Sequence, residues 1–218
     1  REHDVAVGVQ YSDTSFGYLG RQAPFTDPAW GPLPALPDWT GEEVGRPAYG
    51  AAQVDADFDY RMWRAYAATR LELTDRLSVI GGANYIDVES EGISYGVDFG
   101  RSESALSPFA GVTFEAIDGV NLYASYSDIF LPQHETGTDY APLGAAKGES
   151  MEIGLKAQTA DGALLGTVAL FRAEQSNLAE SAGLDPATGQ TLYNGIDVVS
   201  EGVEFEITGR LAEGLLLQ

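Results

Sequence analysis

The sequence predicts an all-β chain, an antiparallel segment of about eight strands from the wall of a larger transmembrane β-barrel. Three observations carry that expectation. Apolar side chains alternate with small or polar ones, turn signals recur at regular intervals, and the connections are short at one end of the strands and long at the other. Successive side chains of a strand point to opposite faces, so an alternating run marks a strand with one greasy and one wet face.

The turns set the frame. LTDRL around Asp75, AIDGVN around Asp118, TADGAL around Asp161 and LAEGL around Glu213 lie 43, 43 and 52 residues apart. Asp and Gly tolerate tight or left-handed backbone, and two of the four signals contain the Asp-Gly pair that marks a hairpin. The chain is therefore organised in units of about forty to fifty residues.

Strands are expected at 3–12, 57–73, 76–90, 103–116, 119–131, 148–160, 163–178 and 196–211. In the first, Val5, Val7, Val9 and Tyr11 oppose Ala6, Gly8, Gln10 and Ser12; in the second, Trp63, Ala65, Leu71 and Leu73 oppose Arg64, Tyr66, Arg70 and Glu72. The fifth, NLYASYSDIFLPQ (121–133), sets Leu122, Ala124 and Tyr126 against Tyr123, Ser125 and Ser127. The sixth opposes Met151, Ile153 and Leu155 to Glu152 and Lys156, and the last opposes Val203, Phe205 and Ile207 to Glu204, Glu206 and Arg210. The seventh, LLGTVALFRAEQ, is mixed: Val168 and Leu170 share parity with Arg172 and Glu174, which leaves a bulge and a partly apolar lumen as two readings.

The long connections fall at 13–56, 91–102, 132–147 and 179–195. Short turns on one rim and long loops on the other are the layout of an outer-membrane barrel. A soluble sandwich would place its charged face in solvent and its greasy face inward. Against it stand strands of about fifteen residues, where soluble strands usually have about five or six. A propeller repeats at a similar period, but its four short strands per blade and its Trp-Asp signature are missing.

Composition narrows the partners. With 33 acidic and 12 basic residues the formal net charge is -21, which argues against a grip on nucleic-acid phosphates or on an anionic membrane surface. No cysteine is present, which removes disulfides and thiolate metal sites. The longest nearly apolar run, residues 162–171, is about half of the ~20 residues a transmembrane helix requires. Arg1 opens the chain without a leader and GLLLQ ends it within a strand pattern, so it is expected to be an internal piece of a longer protein.

Catalytic and metal chemistry find no constellation. His3 and His134 stand in unrelated contexts, and neither has the spacing of a nucleophilic or metal site. Glu42 with Glu43, and Asp55, Asp57 and Asp59, offer carboxylates without the spacing and central Gly of a calcium loop. The long segment 13–56 is more informative. It carries Phe16, Tyr18, Phe25, Trp30, Trp39 and Tyr49 among prolines, as in PFTDPAWGPLPALPDW. Stiff loops with flat aromatic surface suit capture of a flat or amphipathic ligand, so Trp30, Trp39 and Tyr49 are the ligand-binding candidates, while most of these rings are expected to pack locally.

Three stretches carry a family resemblance: SPFAGVTFEAIDGVNLYASYSDIFLPQ (107–133), GESMEIGLKAQTADGALLGTVALFRAEQSNLA (148–179) and YNGIDVVSEGVEFEITGRL (193–211). Their order and spacing resemble the barrel of TonB-dependent outer-membrane receptors, most closely the ferric-siderophore branch. The resemblance is strong over 101–211 and architectural over 1–100. It implies a twenty-two-stranded barrel filled by an N-terminal plug, in the outer membrane of a Gram-negative bacterium, importing a ferric siderophore with energy passed by the TonB complex. It implies neither enzymatic activity nor a cofactor. Residues 1–218 would all belong to the barrel domain, with the plug, the TonB-contacting segment and the closing strand lying elsewhere. No ligand residue transfers by motif. A same-fold receptor for haem, cobalamin or an oligosaccharide, and a stand-alone barrel or sandwich binding module, are the alternative readings. Under the resemblance, Leu122, Ala124 and Tyr126 would meet lipid and Tyr123, Ser125 and Ser127 the interior.

Overall fold

The computed structural model describes residues 3–21, 35–38, 40, 48–212 and 214–217. The described residues form ten strands: β1 (His3–Gly20), β2 (Gln53–Thr74), β3 (Leu77–Ser94), β4 (Val97–Asp98), β5 (Arg101–Ile117), β6 (Val120–Leu131), β7 (Ala146–Gln158), β8 (Leu164–Leu184), β9 (Thr191–Ala212) and β10 (Leu215–Leu217). They form one sheet in the order β1-β2-β3-β5-β6-β7-β8-β9-β10, with the short β4 paired to β3. Every neighbour on that path is a sequence neighbour once β4 is set aside. This is an up-and-down meander, and among the described residues its two ends do not meet. Among the described residues the helical structure is a three-residue 3₁₀ turn at Leu36–Asp38.

The short rim follows from turn chemistry. β2 and β3 are joined by two residues, as are β5 and β6, where Gly119 has φ +78°. Between β7 and β8 the Asp161 carboxylate accepts from the Thr159 hydroxyl at 2.6 Å and from the Ala163 amide at 3.0 Å, beside Gly162 at φ +69°. The turn signals around Asp75, Asp118 and Asp161 thus sit where the chain reverses, while Glu213 lies outside the described residues.

The strands are longer than expected. β2 and β9 have 22 residues and β8 has 21, about twice the ~9–11 that cross a bilayer. Much of what looked like loop at 13–20, 53–56, 91–94 and 179–184 is strand. These extensions are rich in Gly, Ser and Asp, which hides them from an apolar periodicity, yet they pair because ladder hydrogen bonds ask nothing of side-chain polarity.

Directly paired residues share a face, so the register fixes both surfaces of the sheet. One cross-strand row is Phe114, Leu122, Leu155, Val168 and Phe205; the next is Val112, Ala124, Ile153, Leu170 and Val203. Toward the long rim follow Ala110, Tyr126, Met151, Arg172 and Glu201, then Asp128, Glu149, Glu174 and Val199. The register of β8 with β9 is unbroken from Leu164 to Gln175. The mixed parity of β8 therefore needs neither a bulge at that point nor an apolar lumen. Arg172 and Glu174 lie on the greasy face, in the first and second rows beyond the greasy band.

The other face is wet and glycine-notched. Tyr123 lies across its partner Gly154, where a Cβ would come within 2.6 Å of the ring, and its hydroxyl donates to Glu152. Lys156 sits 4.9 Å from the same ring, and Phe171 covers Gly202 in the same manner at 3.0 Å. Arg64 donates to Asn84 at 2.7 Å. No second layer covers the greasy face: among the described residues the buried apolar ones are Ala56, Val88, Ala146 and Ala169, while Val203 and Phe205 are 68% and 70% exposed. A sandwich requires a core here, and the described residues form none.

Two compact units share the chain. The first comprises Arg1–Asp13, Arg61–Glu89 and Arg101–Gln218; the second comprises Thr14–Tyr60 and Ser90–Gly100.

Leu122→Arg in the complete protein is expected to block assembly into membranes, at a cost of roughly 2–4 kcal/mol near the bilayer midplane, while Ser125→Arg assembles normally. Heat-modifiable gel migration after refolding into vesicles measures both, and equal behaviour of the two variants refutes the assignment of faces.

Candidate functional site

The candidate site is the long rim, taken unit by unit. In the first unit it begins where Pro132, lacking an N–H, ends β6. Gln133 follows and is buried. Its side-chain amide donates to the carbonyls of Gly144 at 2.9 Å and Asn177 at 2.8 Å, and its carbonyl accepts from the Ala179 amide at 2.9 Å. One side chain thereby ties the β6–β7 connection to β8.

Asn177 answers from the other side. It occupies the break in register between Gln175 and Leu178, with φ +58°, a left-handed conformation that Asn tolerates better than most residues. Its side-chain amide donates to Leu143 at 2.9 Å and Ala145 at 3.2 Å, and its backbone N–H donates to the Asp197 carboxylate at 3.2 Å. Its Oδ1 presses on Gly195 of β9, leaving no room there for a Cβ.

The connection 132–145 is a small hairpin lying on β9. Leu143 donates to Glu135 at 3.0 Å and Tyr193 donates to Thr136 at 3.0 Å, while Arg101 donates to the His134 carbonyl at 2.9 Å. Tyr140, 66% exposed and at φ +64°, reaches the carboxylate of buried Asp185 at 3.4 Å. Asp185 organises the β8–β9 tip, accepting from the Thr188 hydroxyl at 2.6 Å and the Ala187 amide at 3.1 Å. Those bonds hold its carboxyl below the ordinary carboxylate value. His134 is shifted down as well, chiefly by burial and then by the neighbouring Arg101 guanidinium, with Glu135 opposing.

The rim of the second unit is aromatic. Phe58 stacks on Phe16 at 5.2 Å between centroids and meets Phe99 at 4.1 Å, and Tyr18 lies 6.3 Å from Tyr95. Ser90 donates to the Phe99 carbonyl at 2.6 Å, and Tyr95, at φ +49°, donates its amide to Asp55 at 2.6 Å. Phe16 and Tyr18 therefore stand on strand and pack locally, as expected for most of these rings.

Of the three ligand candidates, Trp30 and Trp39 lie outside the described residues, and Tyr49 is half exposed. Glu42 and Glu43 also lie outside them, and Asp55, Asp57 and Asp59 form no metal-holding group; among the described residues no cluster of three acidic or histidine side chains does. Sequence reasoning missed Gln133, Asn177 and Tyr140. Gln133 and Asn177 stand at the ends of two of the motifs that carry the resemblance, and that these residues bond to one another's segments was not readable from either motif alone.

A single-layer meander, with a greasy face, a wet face, tight turns on one rim and braced loops on the other, defines a membrane-barrel wall. The chain matches the family described as "TonB dependent receptor-like, beta-barrel" over residues 2–218, and it belongs to that family. This is a family of receptors of the Gram-negative outer membrane and not of enzymes. It is 31% identical to the ferric-pyoverdine BN7/BN8 receptor of Pseudomonas putida over 98% of this chain and 27% of that protein. It is 29% identical to the ferripyoverdine receptor of Pseudomonas aeruginosa over 100% of this chain and 27% of that protein. The crystal structure of the ferripyoverdine receptor of the outer membrane of P. aeruginosa bound to ferripyoverdine superposes with a TM-score of 0.76 at 26% identity, covering 96% of this chain and 28% of that one. The chain thus spans about a quarter of the length of these relatives.

Replacing Gln133 with Ala strands two carbonyls and one amide, which at about 1 kcal/mol per bond weakens the brace by roughly 3 kcal/mol. Limited proteolysis of the complete protein should then cut within 134–145 much faster than in the parent. Because the folded pKa of His134 is depressed, the folded rim binds fewer protons than the unfolded one, so the brace weakens as pH falls through the ordinary histidine value of about 6.5. The same proteolysis should accelerate between about pH 7 and pH 5, and His134→Gln should flatten that dependence.

Proposed function

We propose that this chain is part of the wall and extracellular rim of a receptor that binds a ferric siderophore and imports it across the outer membrane. The observation that carries this reading is the match of the whole chain to the receptor-barrel family, with relatives that are themselves ferric-siderophore receptors. The braced rim supports it. A ligand-binding surface gains affinity when its loops are ordered before the ligand arrives, because less entropy is lost on binding.

In this reading the greasy rows of β5 to β9 meet outer-membrane lipid and the wet face looks inward toward a plug carried elsewhere in the complete protein. The TonB complex acts through that plug, and the barrel residues 1–218 provide walls and recognition surface. Trp30, Trp39 and Tyr49 contact the ligand from the long β1–β2 connection. Carboxylates dominate the composition, so attraction to an anionic chelate rests on aromatic contact and hydrogen bonding more than on net charge.

Uptake of iron-55-labelled ferric siderophores by a strain lacking its own receptors, with and without the complete gene, tests the proposal. Ferric pyoverdine-type chelates are expected to enter only when the gene is present and TonB is functional. Substituting Trp30, Trp39 and Tyr49 together with Ala should weaken binding by about tenfold or more. Uptake of haem or cobalamin and of no ferric siderophore refutes the reading.

A further inference from the structure

Two rim turns carry a tyrosine where turn chemistry asks for glycine or asparagine. Among the described residues, three other than glycine hold left-handed backbone: Tyr95 at φ +49°, Tyr140 at φ +64° and Asn177 at φ +58°. Asn177 is accounted for, because Asn tolerates that conformation and its amide braces the rim. A tyrosine there is an outlier that needs another reason.

Hydrogen bonds and register impose the conformation. In the first unit the Gly137 amide donates to the Ala141 carbonyl at 2.8 Å, and the Tyr140 amide donates to the Gly137 carbonyl at 2.9 Å. Tyr140 thus closes a tight hairpin turn in the left-handed position that glycine usually fills. In the second unit Ser94 pairs with Val97 across the two-residue turn Tyr95-Gly96, and both turn residues have positive φ. Such a turn favours Asn, Asp or Gly at its first position.

Burial of the ring does not offset the strain at either turn. Tyr140 is 66% exposed, and its hydroxyl donates to the Asp185 carboxylate across a long 3.4 Å. Tyr95 is 69% exposed, with the Tyr18 ring tilted beside it at 6.3 Å and its own amide donating to the Asp55 carbonyl at 2.6 Å. Each turn therefore holds an aromatic face out toward solvent. A ring that strains the free fold and stays exposed has its use in contact with another molecule.

We propose that Tyr140 and Tyr95 are recognition residues for the imported ferric chelate, each presenting its ring to a flat conjugated group of the ligand. The inference rests on the siderophore-receptor reading and adds two contacts to the three in the β1–β2 connection. A tyrosine brings a flat apolar face and a hydroxyl without adding charge, which suits a neutral or anionic chelate. Acidic residues outnumber basic ones 33 to 12 in the chain, so a cationic guest would find partners without a strained ring.

The test uses the complete receptor in outer membranes, with binding of iron-55-labelled ferric pyoverdine measured on ice and heat-modifiable gel migration reporting the fold. Tyr140→Asn and Tyr95→Asn suit their turns better than tyrosine does, so each should keep or raise the temperature at which the folded band is lost. Each should nevertheless weaken ferric pyoverdine binding by about fivefold or more. Tyr140→Phe and Tyr95→Phe restore the ring and should recover most of that affinity. Unchanged affinity in an Asn variant, or a Phe variant as weak as the Asn one, overturns the proposal for that tyrosine. So does earlier loss of the folded band together with weaker binding, which assigns the ring to packing within the receptor. A parent that binds no ferric pyoverdine overturns the proposal. If that parent also takes up no other ferric siderophore, the receptor reading falls with it.

Discussion

Everything in this wall depends on the backbone ladder. A bilayer interior offers no water to satisfy an N–H or C=O, so each strand must give its hydrogen bonds to the strands beside it. From β5 through β9 the pairing is antiparallel throughout, and the register is continuous across the greasy rows, with breaks at Glu115/Ile117, Gln175/Leu178 and Ser181/Gly183. That continuity frees the side chains from any duty to build a core. The large apolar residues stand exposed on one face, which in water would be ruinous and in lipid is the favourable arrangement.

The same constraint explains the wet face. With no core to lock register, close fit between neighbouring strands contributes instead. Tyr123 over Gly154 and Phe171 over Gly202 are cross-strand pairs in which the missing side chain of one strand seats the ring of the next. A slip of one residue would lift each ring off its glycine and at the same time turn the greasy rows to the wrong face.

At the long rim the ladder hands over to side chains. Gln133 and Asn177 complete the backbone bonds that the departing strands leave open, and Asp185 does the same for the β8–β9 tip. The loops are accordingly built surfaces. Recognition elements can vary along them while the bracing residues hold their place, and the acidic composition is spent partly in these caps.

The sequence by itself determined the strand count on the greasy band, the turns, the faces of β1, β2, β6, β7 and β9, and the family. Local rules govern all of these: period-two alternation, Asp-Gly turn chemistry and the order of linked motifs. Strand ends beyond the band were illegible because polar residues pair as well as apolar ones and leave no periodic trace. The parity of β8 was ambiguous because alternation reports a face and says nothing of height along it. Only the tertiary structure placed Arg172 one row and Glu174 two rows above Leu170, and brought Gln133 to Asn177 across 44 residues. Those are relations between strands, fixed by register, and no single stretch of sequence contains them.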